Sequence, residues 1–327
     1  MRRLRLLGAA LAFAALFVPL PARAGVMLTS IATERPDGQG DQLVYYYDGR
    51  AGFTSFLAVR HAAPQSVPAL TIRVTFYSGG FSLPFTRDLE LEPGELRILD
   101  VDALRNDGLP AQPGLAIATA INPAAAPIVT RALTGNFTVA NLATGSGWGA
   151  AAAARSAVNT GVASLTAGAT PGTLPATGTV IDGTEVALRP IQPRELDLAA
   201  YYAPDDLAPP ADGGNQLIFL SFADVPGVPY AAQPASTSWN LVARRNDGSL
   251  LADTSYGVSG VVVTDLASVL GPAVNATGGS IRFAAAQTLE PVSRLVFFAE
   301  ALGTIGTGYM LPTPGVPFQS MMPVAVR

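Results

Sequence analysis

LELEPGELRILDVDALRNDGLPAQPGLAIATA, Leu89 to Ala120, is the stretch that decides the fold. It passes from one strand through Glu92-Pro93-Gly94-Glu95 into a second strand that reaches Asp100. Pro and Gly suit the two central positions of such a turn, because one fixes a negative φ and the other accepts a positive one. Leu104 follows, then a Gly-led apolar strand, Gly114–Ala120. The same order returns in GVSGVVVTDLASVLGPAVNATGGSIRFAAA, Gly257 to Ala286, with Asp265, Leu270 and Gly279–Ala286 in the matching places.

Outward from this stretch the pattern stays that of strands. In Leu70–Tyr77, Leu70, Ile72, Val74 and Phe76 alternate with Thr71, Arg73, Thr75 and Tyr77. One apolar and one wet face is the antiparallel signature. Turn signals recur at intervals of about 8–12 residues, as in a sandwich. Asn246-Asp247-Gly248 is the strongest hairpin signal. DGGNQLIFLSF from Asp212 also echoes DGQGDQLVYYY from Asp37. The expectation is an all-β chain of two tandem immunoglobulin-like antiparallel sandwiches, duplicated. They span residues 25–142 and 176–311, joined by an Ala/Gly/Thr-rich linker or loop over 143–175 and followed by a Pro-containing tail over 312–327. Ala150–Ala154 can form a helical turn within that linker, and Glu195–Tyr202 reads as a brief helix.

Residues 1–24 read as a cleaved export signal: Arg2, Arg3 and Arg5, then an apolar run, then Ala22-Arg23-Ala24. The run is too short to span a bilayer, and no later segment is long enough either. The protein is thus expected in the periplasm, on the cell surface or outside the cell. Loss of the four signal Arg takes the formal charge from −4 to −8. An acidic chain without basic clusters is unsuited to nucleic acid. All 20 basic residues are Arg, so Schiff-base, P-loop and isopeptide Lys chemistry is excluded. Cys is absent as well, which leaves burial to stabilise the fold and excludes thiolate metal sites. Charged residues make up only 13% of the chain, which suits contact with other chains at an envelope.

The strand–x-Pro-Gly-x–strand order resembles that of bacterial immunoglobulin-like surface modules, in which an L-x-P-G turn leads into a strand. Leu91, Pro93 and Gly94 match it; the second copy has Val258-Ser259-Gly260 and lacks the Pro. The likeness extends over 25–142 and 212–300. It implies a secreted or envelope-associated binding or spacer role and carries over no functional residue.

Catalytic patterns are sparse. His61 is the only His, at a strand end, and no G-x-S-x-G elbow accompanies it. Oxygen-rich loops can hold calcium, and the candidates are Asp37, Asp41, Asp100 and Asp102. Asp100 and Asp102 share a face if the strand continues through them. Tyr45, Tyr47 and Trp148 are the candidate surface aromatics for a sugar ring. No cofactor motif occurs, and calcium is the one ion left open. The leading expectation is a non-enzymatic structural, adhesive or assembly protein that binds a protein partner or itself. A glycan- or calcium-dependent binding module and a hydrolase with paired carboxylates are the alternatives.

Overall fold

The computed structural model describes residues 39–62, 69–81, 83–121, 123, 125, 128–130, 132–142, 146–155, 157–158, 179–180, 187–188, 190–201, 215–225, 231–286, 292–302 and 305–310. The export signal, the strand expected over Gly25–Ala32, Asp37 and the tail after Met310 lie outside them.

The chain is all-β and antiparallel. The first strands are β1 (Gln42–Asp48), β2 (Phe53–His61), β3 (Leu70–Ser78), β4 (Phe85–Leu91) and β5 (Leu96–Asp100). Helix α1 (Val101–Asn106) precedes β6 (Pro113–Ile121), β7 (Ile128–Val129), β8 (Leu133–Asn141), β9 (Ser146–Ala151) and β10 (Ala153–Arg155). The short strands β11 (Ala157–Val158), β12 (Thr179–Val180) and β13 (Ala187–Leu188) lead to β14 (Glu195–Tyr201), β15 (Gln216–Asp224), β16 (Ala232–Pro234), β17 (Ser236–Arg245) and β18 (Leu250–Asp265). Helices α2 (Leu266–Leu270) and α3 (Ala273–Ala276), then β19 (Gly279–Ala285), β20 (Val292–Leu302) and β21 (Ile305–Met310), complete the described chain.

Two sheets form the first half, in the orders β10-β1-β6-β3-β4 and β5-β2-β8-β9. The second half is one folded sheet, β14-β19-β17-β18-β15-β20-β21, with β16 on β15. Its fold lies in β18. Leu250–Ser259 runs along β17, and Gly260–Asp265 runs along β15. Gly260 sits at the handover with φ +69°. That conformation costs an L side chain about 1–2 kcal/mol, and bends of this kind let a strand change sheets.

Alternation assigns the cores. Leu217, Phe219, Val296 and Phe298 face Trp239, Leu241, Ile281 and Phe283 inside the folded sheet. On the opposite face of β15 and β20, Ile218, Leu220, Phe222, Leu295, Phe297 and Ala299 join the core of the first half. The sheet containing β1, β6 and β3 is therefore covered twice, by β2 and β8 on one side and by β15, β16 and β20 on the other. This corrects the expected wet face of β3 in its second half, while Thr71 and Arg73 stay half-exposed. Thr75 and Tyr77 are buried, and the Tyr77 hydroxyl accepts a hydrogen bond from the Ala232 N–H at 3.0 Å.

Two further expectations are corrected within the described residues; 159–175 of the expected linker lies outside them. Within the segment read as a linker, Ser146–Ala151 pairs with β8 and Ala153–Arg155 with β1. Small residues favour neither strand nor sheet burial by propensity; pairing with β8 and β1 makes these segments strands. Glu195–Tyr201 is likewise a strand on β19, with Leu196 and Leu198 facing the second core. Its period of two outweighs its helix-forming Glu, Leu and Ala.

Candidate functional site

The described calcium candidates, Asp41, Asp100 and Asp102, do not form one cluster. The Asp41 carboxylate is buried and accepts the Thr130 N–H at 2.7 Å. Asp100 ends β5 and caps α1, accepting the N–H groups of Asp102 at 2.9 Å and Ala103 at 3.4 Å. Because the strand stops at Asp100, Asp102 belongs to the helix and does not share a strand face with it. Asp102 pairs instead with Arg105, one helical turn on. Among the described residues no group of three or more His, Cys, Asp or Glu could hold a metal.

Tyr45 and Tyr47 are core residues, which corrects their reading as surface aromatics. Both are fully buried, as is Tyr46 between them. The Tyr45 hydroxyl donates to the Ala58 carbonyl at 3.2 Å, and the Tyr47 ring meets Phe76 edge-on at 5.5 Å. Burial pushes all three phenols well up; at Tyr46 the Asp48 carboxylate adds to the effect. Trp148 is half-buried, stacked on Tyr46 at 5.8 Å and 6.4 Å from Phe297. No sugar-binding row remains among these residues. His61 is at its expected strand end but fully buried; its backbone N–H donates to the Glu95 carbonyl.

Two polar clusters escaped the sequence reading. Arg155, with a side chain 1% exposed, donates to Gln42 Oε1 at 2.7 Å and forks onto Asp224 at 2.9 and 2.5 Å. Gln42 in turn donates to Thr119, and the guanidinium lies 5.4 Å from the Phe222 ring centroid. This cluster joins the halves across the doubly covered sheet. An Arg isolated in an Ala-rich run was the available signal. The second cluster surrounds Arg294, whose signal was an Arg in phase with Val296 and Phe298.

Among the described residues, two exposed apolar side chains stand together on the β5 sheet edge. β5 ends its sheet, and Leu96 and Ile98 are 51% and 61% exposed beside Phe56 of β2. Two of the other edges are charged, whereas β9 and β21 carry no charged residue. β4 presents Arg87, Asp88 and Glu90, and β14 carries Glu195 and Asp197. Charge on an edge strand prevents unwanted pairing; β5 keeps Arg97 alone between its two apolar side chains.

No family model matches the chain, and no curated protein matches it. Among solved structures, a Thermotoga maritima protein designated 1070 aligns over 32% of this chain and 81% of its own, at 18% identity and TM-score 0.23. A β-glucuronidase from Ruminococcus gnavus aligns over 84% of this chain but 35% of its own, at 12% identity and TM-score 0.13. Infectious bursal disease virus, Gx strain, gives 87%, 60%, 10% and 0.12 respectively. None of the three bears on fold detail or function.

Proposed function

We propose that this is an exported, non-enzymatic structural protein of the cell envelope, built from two copies of one immunoglobulin-like sandwich and able to associate with itself. The strand orders support duplication. β1-β6-β3-β4 corresponds to β14-β19-β17-β18, and β5-β2-β8-β9 to β18-β15-β20-β21. A short helix follows Asp100 in the first series and Asp265 in the second. The segments entering each unit agree too: Gly40 pairs with Leu133, and the Ile191 carbonyl accepts from the Arg294 N–H. In this scheme β15 takes the place of β2. The Gln42-Leu43 and Gln216-Leu217 echo therefore joins strands of unlike position, and the Asp100 and Asp265 match is the sound one.

The observation that carries self-association is the pair of exposed apolar side chains, Leu96 and Ile98, on the β5 edge. Its occupant is β5 of a second copy, running antiparallel about a two-fold axis. Centring on Arg97 would oppose two like charges, which destabilises a cross-strand pair. Centring on Ile98 places Ile98 against Ile98 and gathers Leu96 and Phe56 of both chains around it. A five-residue edge buries less than the roughly 1,200 Å² of a stable complex, so the dimer is weak. Sedimentation at rising concentration should show a monomer–dimer equilibrium that Ile98→Lys abolishes, with the circular dichroism spectrum unchanged. A wild-type chain that stays monomeric at millimolar concentration would sink the proposal.

A further inference from the structure

We infer that the end of the second sandwich near β16 binds a small oxyanion, a carboxylate or phosphate-type group, against Arg294. Arg294 lies directly opposite Ser221 in the β15–β20 ladder. Alternation with Val296 and Phe219 points both side chains inward, and both are buried, Arg294 at 5% exposure. The Ala235 N–H donates to the Ser221 carbonyl, which brings in Thr237 two residues on, in phase with Trp239. The Arg294 guanidinium carbon sits 5.8 Å from the Trp239 ring centroid, and Nη1 donates to the Ala286 carbonyl at 2.8 Å.

Three polar atoms of this group, Arg294 Nε, Ser221 Oγ and Thr237 Oγ1, are buried without a hydrogen-bond partner. The other two such atoms among the described residues are Tyr hydroxyls elsewhere. Burial pulls the Arg294 pKa down, and no carboxylate among the described residues pairs with it. An uncompensated buried cation is costly. The guanidinium edge formed by Nε and Nη2 is the fork that takes an oxyanion in two parallel hydrogen bonds, and two hydroxyl donors stand beside it.

The companion unit argues that a buried Arg is not needed here for folding, a step that rests on the proposed duplication. Phe56 and Thr138 pair as Gln216 and Ala299 do, and Leu70 pairs with Leu91 as Thr237 pairs with Val258. Leu133, Leu70 and Ile72 then occupy the places of Arg294, Thr237 and Trp239, and all three are buried in the first core. The buried His61, which pairs with Leu133 as Ser221 pairs with Arg294, takes the place of Ser221; one unit thus closes this end without an Arg, and the other spends one on it.

The test is melting and calorimetric titration of the whole protein with sodium acetate and with inorganic phosphate, against chloride at matched ionic strength. Either oxyanion should raise the melting temperature beyond chloride. A response to acetate alone assigns a carboxylate ligand, and one to phosphate alone a phosphate group. Arg294→Leu should lower the affinity at least tenfold. Should that variant not fold, the double variant Ser221→Ala, Thr237→Val should weaken binding several-fold. No oxyanion-specific response in the wild type, or a full response in these variants, overturns the inference. The stability of Arg294→Leu without oxyanion tests the unit correspondence separately. A clear loss of stability alongside loss of the response would remove that correspondence and leave the site standing.

Discussion

Replacing Asp224 by Asn should destabilise the protein more than replacing Arg155 by Met, although both break the same ion pair. The Asp224 side chain is 45% exposed, whereas that of Arg155 is 1% exposed. Asp224→Asn takes the compensating charge away from a guanidinium that cannot reach water, with Gln42 and the Phe222 face still beside it. Orphaning one partner of a fully buried pair costs about 3–5 kcal/mol. Solvent at the Asp224 end and the retained contacts reduce this to roughly 2 kcal/mol. Arg155→Met leaves an exposed-side carboxylate free to hydrate and replaces the cation by an apolar chain of similar length, a change that is near neutral at many buried sites, here about 0–1 kcal/mol. Urea unfolding is the assay. With a slope of about 2–3 kcal/mol per M, Asp224→Asn should move the midpoint down by about 0.7–1 M, and Arg155→Met by less than half of that. The reverse order, or equal shifts, would refute the argument that burial of the cation decides the energetics.

Phe297→Ala removes the ring that meets Phe137 edge-on at 5.3 Å between the halves; equilibrium unfolding should report a loss of about 3–5 kcal/mol. Gly260→Ala should cost about 1–2 kcal/mol through its positive φ rather than through a clash, since the nearest atom to an added Cβ is Pro234 Cβ at 3.4 Å. Asp100→Ala should lose about 1 kcal/mol as an N-cap, with the same melting temperature change in calcium and in chelator. The buried phenols of Tyr45, Tyr46 and Tyr47 are raised above their unfolded value of about 10. Their contribution to stability is complete below that value and is lost as pH rises past it, so denaturant midpoints should be flat from pH 7 to about 9.5 and fall beyond.

Strand identity was readable wherever alternation was strong, as in Leu70–Tyr77, and at Pro93-Gly94, where the turn demands those residues; Gly94 has φ +84°. Burial of the second face was not readable. Thr75 and Tyr77 look like solvent positions, and only the arrival of β15 and β16 from 140 or more residues along the chain covers them, as the hydrogen bond between Tyr77 and Ala232 records. Small residues misled for a related reason. Ala150, Ala153 and Ala154 carry no periodicity, and their strand identity comes from partners on β8 and β1. The site candidates failed on local competition. Asp100 spends its oxygens on the helix that starts after it, and Tyr45 and Tyr47 point inward because their strand is enclosed on both sides.

β18 has a mechanical consequence. In the first half, the two layers are joined at this point by the Glu92–Glu95 turn between two separate strands; in the second, one unbroken 16-residue strand belongs to both limbs of the folded sheet. Shear of one limb over the other would have to stretch covalent backbone through Gly260, not merely slip a row of weak contacts. Under tension the second half should therefore give way as a whole, while the first is free to shed its outer layer.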